Sequence, residues 1–194
     1  MRAAGPGRRG FTLVEVVVVL TIMAIVLMIA MPQYRLIVEH ERLRDAAQTA
    51  QSDLMFARAE AIRRNSDVYA VFRTNGDRDW CYGLSQLSSC DCRITDVANA
   101  SACALANPDG TRALKVVASQ DYRDIRLTAA AFGGSLGYIG FSPYRGTTTQ
   151  GAGTPVSGSV EFQSPDNTAV RVLVNLVGRA SPCSNQLSSY RPCP

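Results

Sequence analysis

Histidine is all but missing from this chain of 194 residues, which has one, His40. The stretch Gly133-Gly134-Ser135-Leu136-Gly137 has the G-x-S-x-G spacing of a nucleophile elbow. An elbow needs a strand-turn-helix setting and a histidine within reach, and His40 falls on a predicted helix, so the stretch reads as a glycine-rich turn. A phosphate loop, a dinucleotide fingerprint and a C-x2-C zinc pair are absent too, and the carboxylates are scattered singly. These gaps exclude the common enzyme classes, so the reading is of a protein that is not an enzyme and needs no cofactor or metal.

Lysine is equally scarce. Lys115 stands against 19 arginines, a bias that genome base composition explains without any function. The net charge of +4 looks basic, but Arg2, Arg8 and Arg9 supply three of the 20 basic residues, which leaves 17 against 16 acidic ones beyond residue 10. A net of +1 is no evidence for nucleic-acid binding by bulk charge.

Charge is also missing from one long run. From Phe11 to Met31 the only ionisable side chain is Glu15. At about 1.5 Å per residue the run reaches roughly 31 Å, the thickness of a hydrocarbon core. One membrane pass is the direct reading, with the preceding arginines cytoplasmic and the bulk of the chain outside. A secretory signal would need small residues after the apolar core, and "LMIAMPQY" supplies them poorly. A carboxylate in hydrocarbon costs on the order of 3 kcal/mol, so Glu15 needs a cationic partner.

No cysteine precedes residue 81. All six, at 81, 90, 92, 103, 183 and 193, lie in the part that would be exported, and an even count there points to disulfides in a bacterial periplasm or at the cell exterior. "CDC" is too tight for a zinc knuckle. Joining Cys90 to Cys92 would make a strained ring, so two pairings remain: Cys81 with Cys90 or Cys92, and Cys103 with the other. Cys183 pairs with Cys193. Each short loop would contribute about 2 to 3 kcal/mol.

After the apolar run, Pro32 would kink or locally open a helix. Apolar or small residues at 36, 43, 47, 50, 54, 57 and 61 then keep helical spacing, with charges between them, to about Asn65. From residue 67 the pattern changes to short stretches rich in β-branched and aromatic residues. These are 68–73, 80–84, 114–119, 124–129, 137–141, 159–162 and 169–177, with Asn75-Gly76 as a hairpin signal. Polar connections over 85–113 and 142–158 read as surface loops. The fold class is therefore α+β: a long N-terminal helix, its first half transmembrane, packed on an antiparallel β-sheet head.

The run "RRGFTLVEVVVVLTIMAIVLMIAMPQY" resembles the class III signal of type IV pilins and type II secretion pseudopilins. The resemblance implies that a prepilin peptidase cuts between Gly10 and Phe11 and methylates the new Phe11 amine, with Glu15 as the fifth mature residue. Cleavage creates an ammonium at Phe11, and Glu15 of one subunit would neutralise that of a neighbour in low dielectric. "ARAEAIRRN", "GFSP", "GSVEF" and "VRVLVNLVGR" extend the likeness to the GspH/FimT family of minor pilins and pseudopilins. The implied organisation is a leader over 1–10, a membrane and polymerisation half over 11–32, an amphipathic half over 33–66 and a disulfide-containing head over 67–194.

The implied role is a minor pilin at or near a type IV pilus tip that helps initiate assembly. Its implied partners are other major and minor pilins, the prepilin peptidase, the inner-membrane assembly platform and the inner membrane itself. It would sit as a single pass with its head in the periplasm, then in the pilus at the cell surface. A type II secretion pseudopilin uses the same helix and peptidase. The FimT branch also contacts DNA through a G-R-x-R motif, which here reads Gly178-Arg179-Ala180-Ser181, with serine in place of the second arginine. Arg171, Arg179 and Arg191 are the residues such a contact would use, and the net charge favours ordinary surface arginines.

Overall fold

The computed structural model describes residues 10–151 and 153–194, without the side chains of 29–33 and 135–136. The leader expected over 1–10 therefore lies, but for Gly10, outside the described residues. The chain divides into two units, one ending at Val38 and one running Glu39–Pro194.

One helix, α1 (Leu13–Arg64), belongs to both units. It starts two residues later than the Phe11 expected from the apolar run, because Thr12 acts as its N-cap: the Glu15 amide donates to Thr12 Oγ1 at 3.3 Å and the Val16 amide to the Thr12 carbonyl at 3.3 Å. Thr12-x-x-Glu15 is a helix-start signature, and Glu15 in the first turn suits the positive end of the dipole. The helix continues through Pro32. It ends at Asn65, whose φ of 50° is left-handed, with Asn65 N–H donating to Ile62 and Ser66 N–H to Ala61. That bond pair is a Schellman stop.

In the second unit the helix buries Leu43, Ala46, Ala47, Ala50, Leu54, Ala57 and Ala61. The alanines favour helix and keep the buried face thin. Leu36, expected in the same stripe, is exposed in the first unit.

Among the described residues twelve strands follow: β1 (Val68–Thr74), β2 (Trp80–Ser85), β3 (Ala104–Ala106), β4 (Arg112–Leu114), β5 (Val116–Ala118), β6 (Arg126–Phe132), β7 (Ser135–Leu136), β8 (Tyr138–Phe141), β9 (Thr148–Thr149), β10 (Gly158–Gln163), β11 (Ala169–Val174) and β12 (Ala180–Cys183). They form one sheet in the order β5-β2-β1-β8-β9, a second in the order β12-β11-β10-β6-β7, and a β3-β4 ribbon, all antiparallel. Gly137 joins the two sheets, accepting from Phe72 N–H at 2.6 Å and donating to the Ala130 carbonyl at 3.1 Å.

Trp80, Phe132, Phe141 and Phe162 are fully buried, and Trp80 Nε1 donates to the Ile125 carbonyl at 2.9 Å. The stretch expected as one strand over 114–119 is divided at Lys115, whose amide bonds Cys103 and whose carbonyl accepts from Leu84. Asn75-Gly76 does sit in a hairpin, but in a five-residue loop closed by Asn75 N–H on the Asp79 carbonyl at 2.8 Å.

Candidate functional site

The first unit is defined by what it leaves uncovered. Phe11 and the large apolar side chains from Leu13 to Met28 are all exposed. Among the described residues no helix is long and apolar enough to cross a membrane, so the span expected over 11–32 is not established by the structure; the described side chains of the run stop at Met28. Among the described residues, no cation is paired with Glu15.

In the head, Cys81 joins Cys92, Cys90 joins Cys103 and Cys183 joins Cys193, with Cα separations of 5.9, 5.0 and 5.0 Å. The first two bridges interleave: Cys81–Cys92 staples the 86–103 loop to β2, and Cys90–Cys103 closes that loop on itself. Gly83 of β2 is small for this reason: a Cβ there would meet Cys103 Cβ at 2.5 Å. Arginines hold the same loop by its carbonyls. Arg112 donates to Val97 and Asn99 at 3.0 and 2.9 Å, and Arg73 donates to Ser89 and Cys90, both at 3.2 Å.

The end of α1 carries a charged cluster. Arg63 donates to Glu60 twice, at 2.8 and 2.7 Å, and Arg64 Nε donates to the same carboxylate. The Arg63 bonds are the main reason the Glu60 carboxyl is lowered to about 2, burial pulling the other way. Helix-dipole complementarity accounts for two arginines at a C-terminus; their common anchor on a buried Glu60 could have been read from the i, i+3 and i+4 spacing.

Three further polar contacts tie α1 to the sheets. Asp53 Oδ1 lies 2.8 Å from Lys115 Nζ, and its Oδ2 accepts from Tyr82 OH at 2.9 Å. His40 Nε2 lies 2.8 Å from Asp166 Oδ2 on the β10–β11 turn. Burial would raise Asp166, but hydrogen bonds from Ser164, His40 and Thr168 hold it far below the usual carboxylate range. Arg58 Nε donates to the Gly146 carbonyl at 3.0 Å. The lone histidine and lone lysine thus serve packing.

The three arginines considered for DNA stand on three segments, β11, the turn before β12 and the tail after it. Arg171 on β11 is engaged by Glu161 through bonds of 2.9 and 2.6 Å. Arg179 is exposed at the end of the 175–179 turn, and Arg191 is exposed in the tail.

The family described as Type II transport protein GspH matches residues 46–178, and the prokaryotic N-terminal methylation motif matches residues 6–31. The chain belongs to the GspH family. The GspH match takes in the buried half of α1 and the strands through β11, and it stops at Gly178. Arg179, β12, the Cys183–Cys193 bridge and Arg191 lie beyond it. No curated protein matches. Among solved structures, this GspH-family chain is similar to the type IV minor pilin FimU of Pseudomonas aeruginosa, with 16% identity, 79% of this chain and 95% of that chain covered, and a TM-score of 0.49.

Proposed function

We propose that this chain is a minor type IV pilin: cut between Gly10 and Phe11 by a prepilin peptidase, N-methylated on Phe11, and held in the inner membrane by one pass with its head in the periplasm. From there it enters a pilus at or near the tip, where it helps initiate polymerisation. The observation that carries this reading is the methylation motif over 6–31 running straight into an uncovered apolar helix. Exposed apolar surface gains on the order of 25 cal/mol per Å² on burial, and in this reading first lipid and then neighbouring pilin helices supply the cover. Glu15 is then matched by the Phe11 ammonium of an adjacent subunit, a partner that exists only after cleavage. The major and minor pilins and the assembly platform are the partners this requires.

The family description favours a second reading, a type II secretion pseudopilin, which needs the same helix. Mass spectrometry of sheared pili from wild-type and deletion strains separates the two. A peptide beginning at methylated Phe11, found in wild-type pili, is the expected result. Its absence from pili, with the processed chain recovered beside secretion pseudopilins, would select the second reading.

A further inference from the structure

The chain holds seven asparagines, and one of them opens an N-x-S/T triplet with no proline inside it: Asn99-Ala100-Ser101. That triplet is the acceptor signal for N-linked glycosylation, which takes place on surface loops of exported chains. Asn65, Asn75, Asn107, Asn167, Asn175 and Asn185 all lack a hydroxyl residue two places on.

The triplet lies on the surface, in a loop whose backbone is fixed. Thr95 to Ser101 are all exposed, within the 86–103 loop of the head. Asn99 N–H donates to the Asp96 carbonyl and Ala102 N–H to the Asn99 carbonyl, both at 3.1 Å, while Arg112 grips the Val97 and Asn99 carbonyls. The acceptor is thus presented by two consecutive turns.

The side chains are set for recognition. Asn99 Oδ1 accepts from Ser101 N–H at 2.9 Å, an Asx turn that occupies the amide oxygen and, among the described residues, leaves Nδ2 without a hydrogen bond. Asn75 and Asn107 instead spend Nδ2 on Asp79 and Thr111. Ser101 joins the turn through its backbone, so its exposed hydroxyl stays available to a visiting enzyme.

We propose that Asn99 is N-glycosylated, with a lipid diphosphate-linked oligosaccharide as donor, in the compartment that receives the head. Nδ2 attacks the anomeric carbon of the sugar. The C–N bond forms as the C–O bond to the diphosphate breaks, the diphosphate leaves with the electron pair, and the amide proton passes to a carboxylate of the transferase. An amide nitrogen shares its lone pair with the carbonyl and is a weak nucleophile, so the transferase must supply that base. This chain supplies the acceptor and, in the Ser101 hydroxyl, the mark that the transferase reads. The choice of donor rests on the exported-head reading above.

The test is mass spectrometry of the full chain recovered from the membranes and pili of its own cells. After reduction, trypsin cutting at Arg93 and Arg112 yields the peptide 94–112, and fragmentation that preserves glycans locates any sugar within it. A mass increase of one oligosaccharide on Asn99 is expected, lost in Asn99→Gln and Ser101→Ala and kept in Ser101→Thr. Ser101→Ala retains the backbone N–H that closes the turn, so loss of the sugar there reports recognition and not misfolding. An unmodified peptide overturns the proposal, as does sugar found on Thr95, Ser101 or Thr111 in place of Asn99. Protease added to intact spheroplasts reads export separately. A digested head with an unmodified peptide ends the glycan proposal and leaves the exported-head reading standing; a protected head bearing sugar on Asn99 overturns that reading and the lipid-linked donor with it.

Discussion

Asp53 Oδ1 stands 2.8 Å from Lys115 Nζ, so the only lysine of the chain meets a helix carboxylate whose side chain is 7% exposed. The pair joins α1 to the segment between β4 and β5, and Tyr82 OH satisfies the second carboxylate oxygen. Removing Lys115 strands a buried charge, whereas removing both charges does not. Because Lys115 itself is partly exposed, Lys115→Met should destabilise by about 1 to 2 kcal/mol, less than a fully buried pair would lose. Adding Asp53→Asn should restore most of that, since the amide oxygen still accepts from Tyr82. Urea unfolding of the purified chain in detergent measures both.

Glu60 gives the head a defined acid response. Its carboxyl is lowered from 4.5 to about 2, chiefly by the Arg63 hydrogen bonds. A depressed carboxyl contributes stability that is fully present above pH 4.5 and is lost as pH falls through about 2. Arg63 is half exposed, so screening reduces the contribution to about 1 kcal/mol. Glu60→Gln should lower the melting temperature at pH 7 and flatten its decline between pH 4.5 and 2. An unchanged acid limb would remove Glu60 from that role.

The alternation of β-branched and aromatic residues made most of the ladder visible from the sequence, and the alanine-rich spacing from Leu43 to Ala61 marked the buried helix face. β3, β7, β9 and β12 were not legible, because each has two to four residues and its pairing is set by a disulfide, a glycine turn or a neighbouring strand and not by its own pattern. Lys115 breaks what looked like one strand by turning its backbone to Cys103 and Leu84. At the N-terminus, Glu15 could be read as an acid needing a cation. Its place three residues after Thr12, where it also favours helix initiation, was in the same letters and emerged only with the cap.

The interleaved Cys81–Cys92 and Cys90–Cys103 bridges predict which peptides remain linked after digestion without reduction. Cleavage between Cys90 and Cys92 should leave the two halves of the 81–103 region joined, because both bridges cross the cut. Replacing Cys183 and Cys193 by serine should cost about 2 to 3 kcal/mol for its short loop and loosen the tail beyond β12. Hydrogen exchange over 184–194 would register the loosening.

Glu15 can serve two ends, starting the helix and pairing with an ammonium, and two substitutions separate them. Glu15→Gln keeps the size and hydrogen-bonding reach of the side chain but removes its charge; Glu15→Ala removes both. If the charge pair with the Phe11 ammonium governs assembly, both variants should be processed and exported with folded heads, and both should be depleted from sheared pili. Recovery of Glu15→Gln at wild-type levels would leave the helix-start role as the one that matters.

Gly178 and Arg179 are neighbours with opposite jobs. At Gly178 the backbone is left-handed and a Cβ would meet the Gly146 carbonyl oxygen at 2.2 Å, so Gly178→Ala must push the two loop tips apart and loosen the Arg58 contact. A cost of about 1 to 3 kcal/mol follows from strain of that kind. Arg179 is exposed and, among the described residues, its side chain is in no ion pair, so Arg179→Ala should leave the melting temperature within about 1 °C, as for a neutral surface change. Duplex DNA retardation by the purified chain at low salt, lost in Arg179→Ala and not in Arg171→Ala, would show that the exposed arginine and not the Glu161-bound one carries a DNA contact. No retardation at low salt would leave Gly178 as the reason the Gly-Arg pair is there: it lets two turns touch.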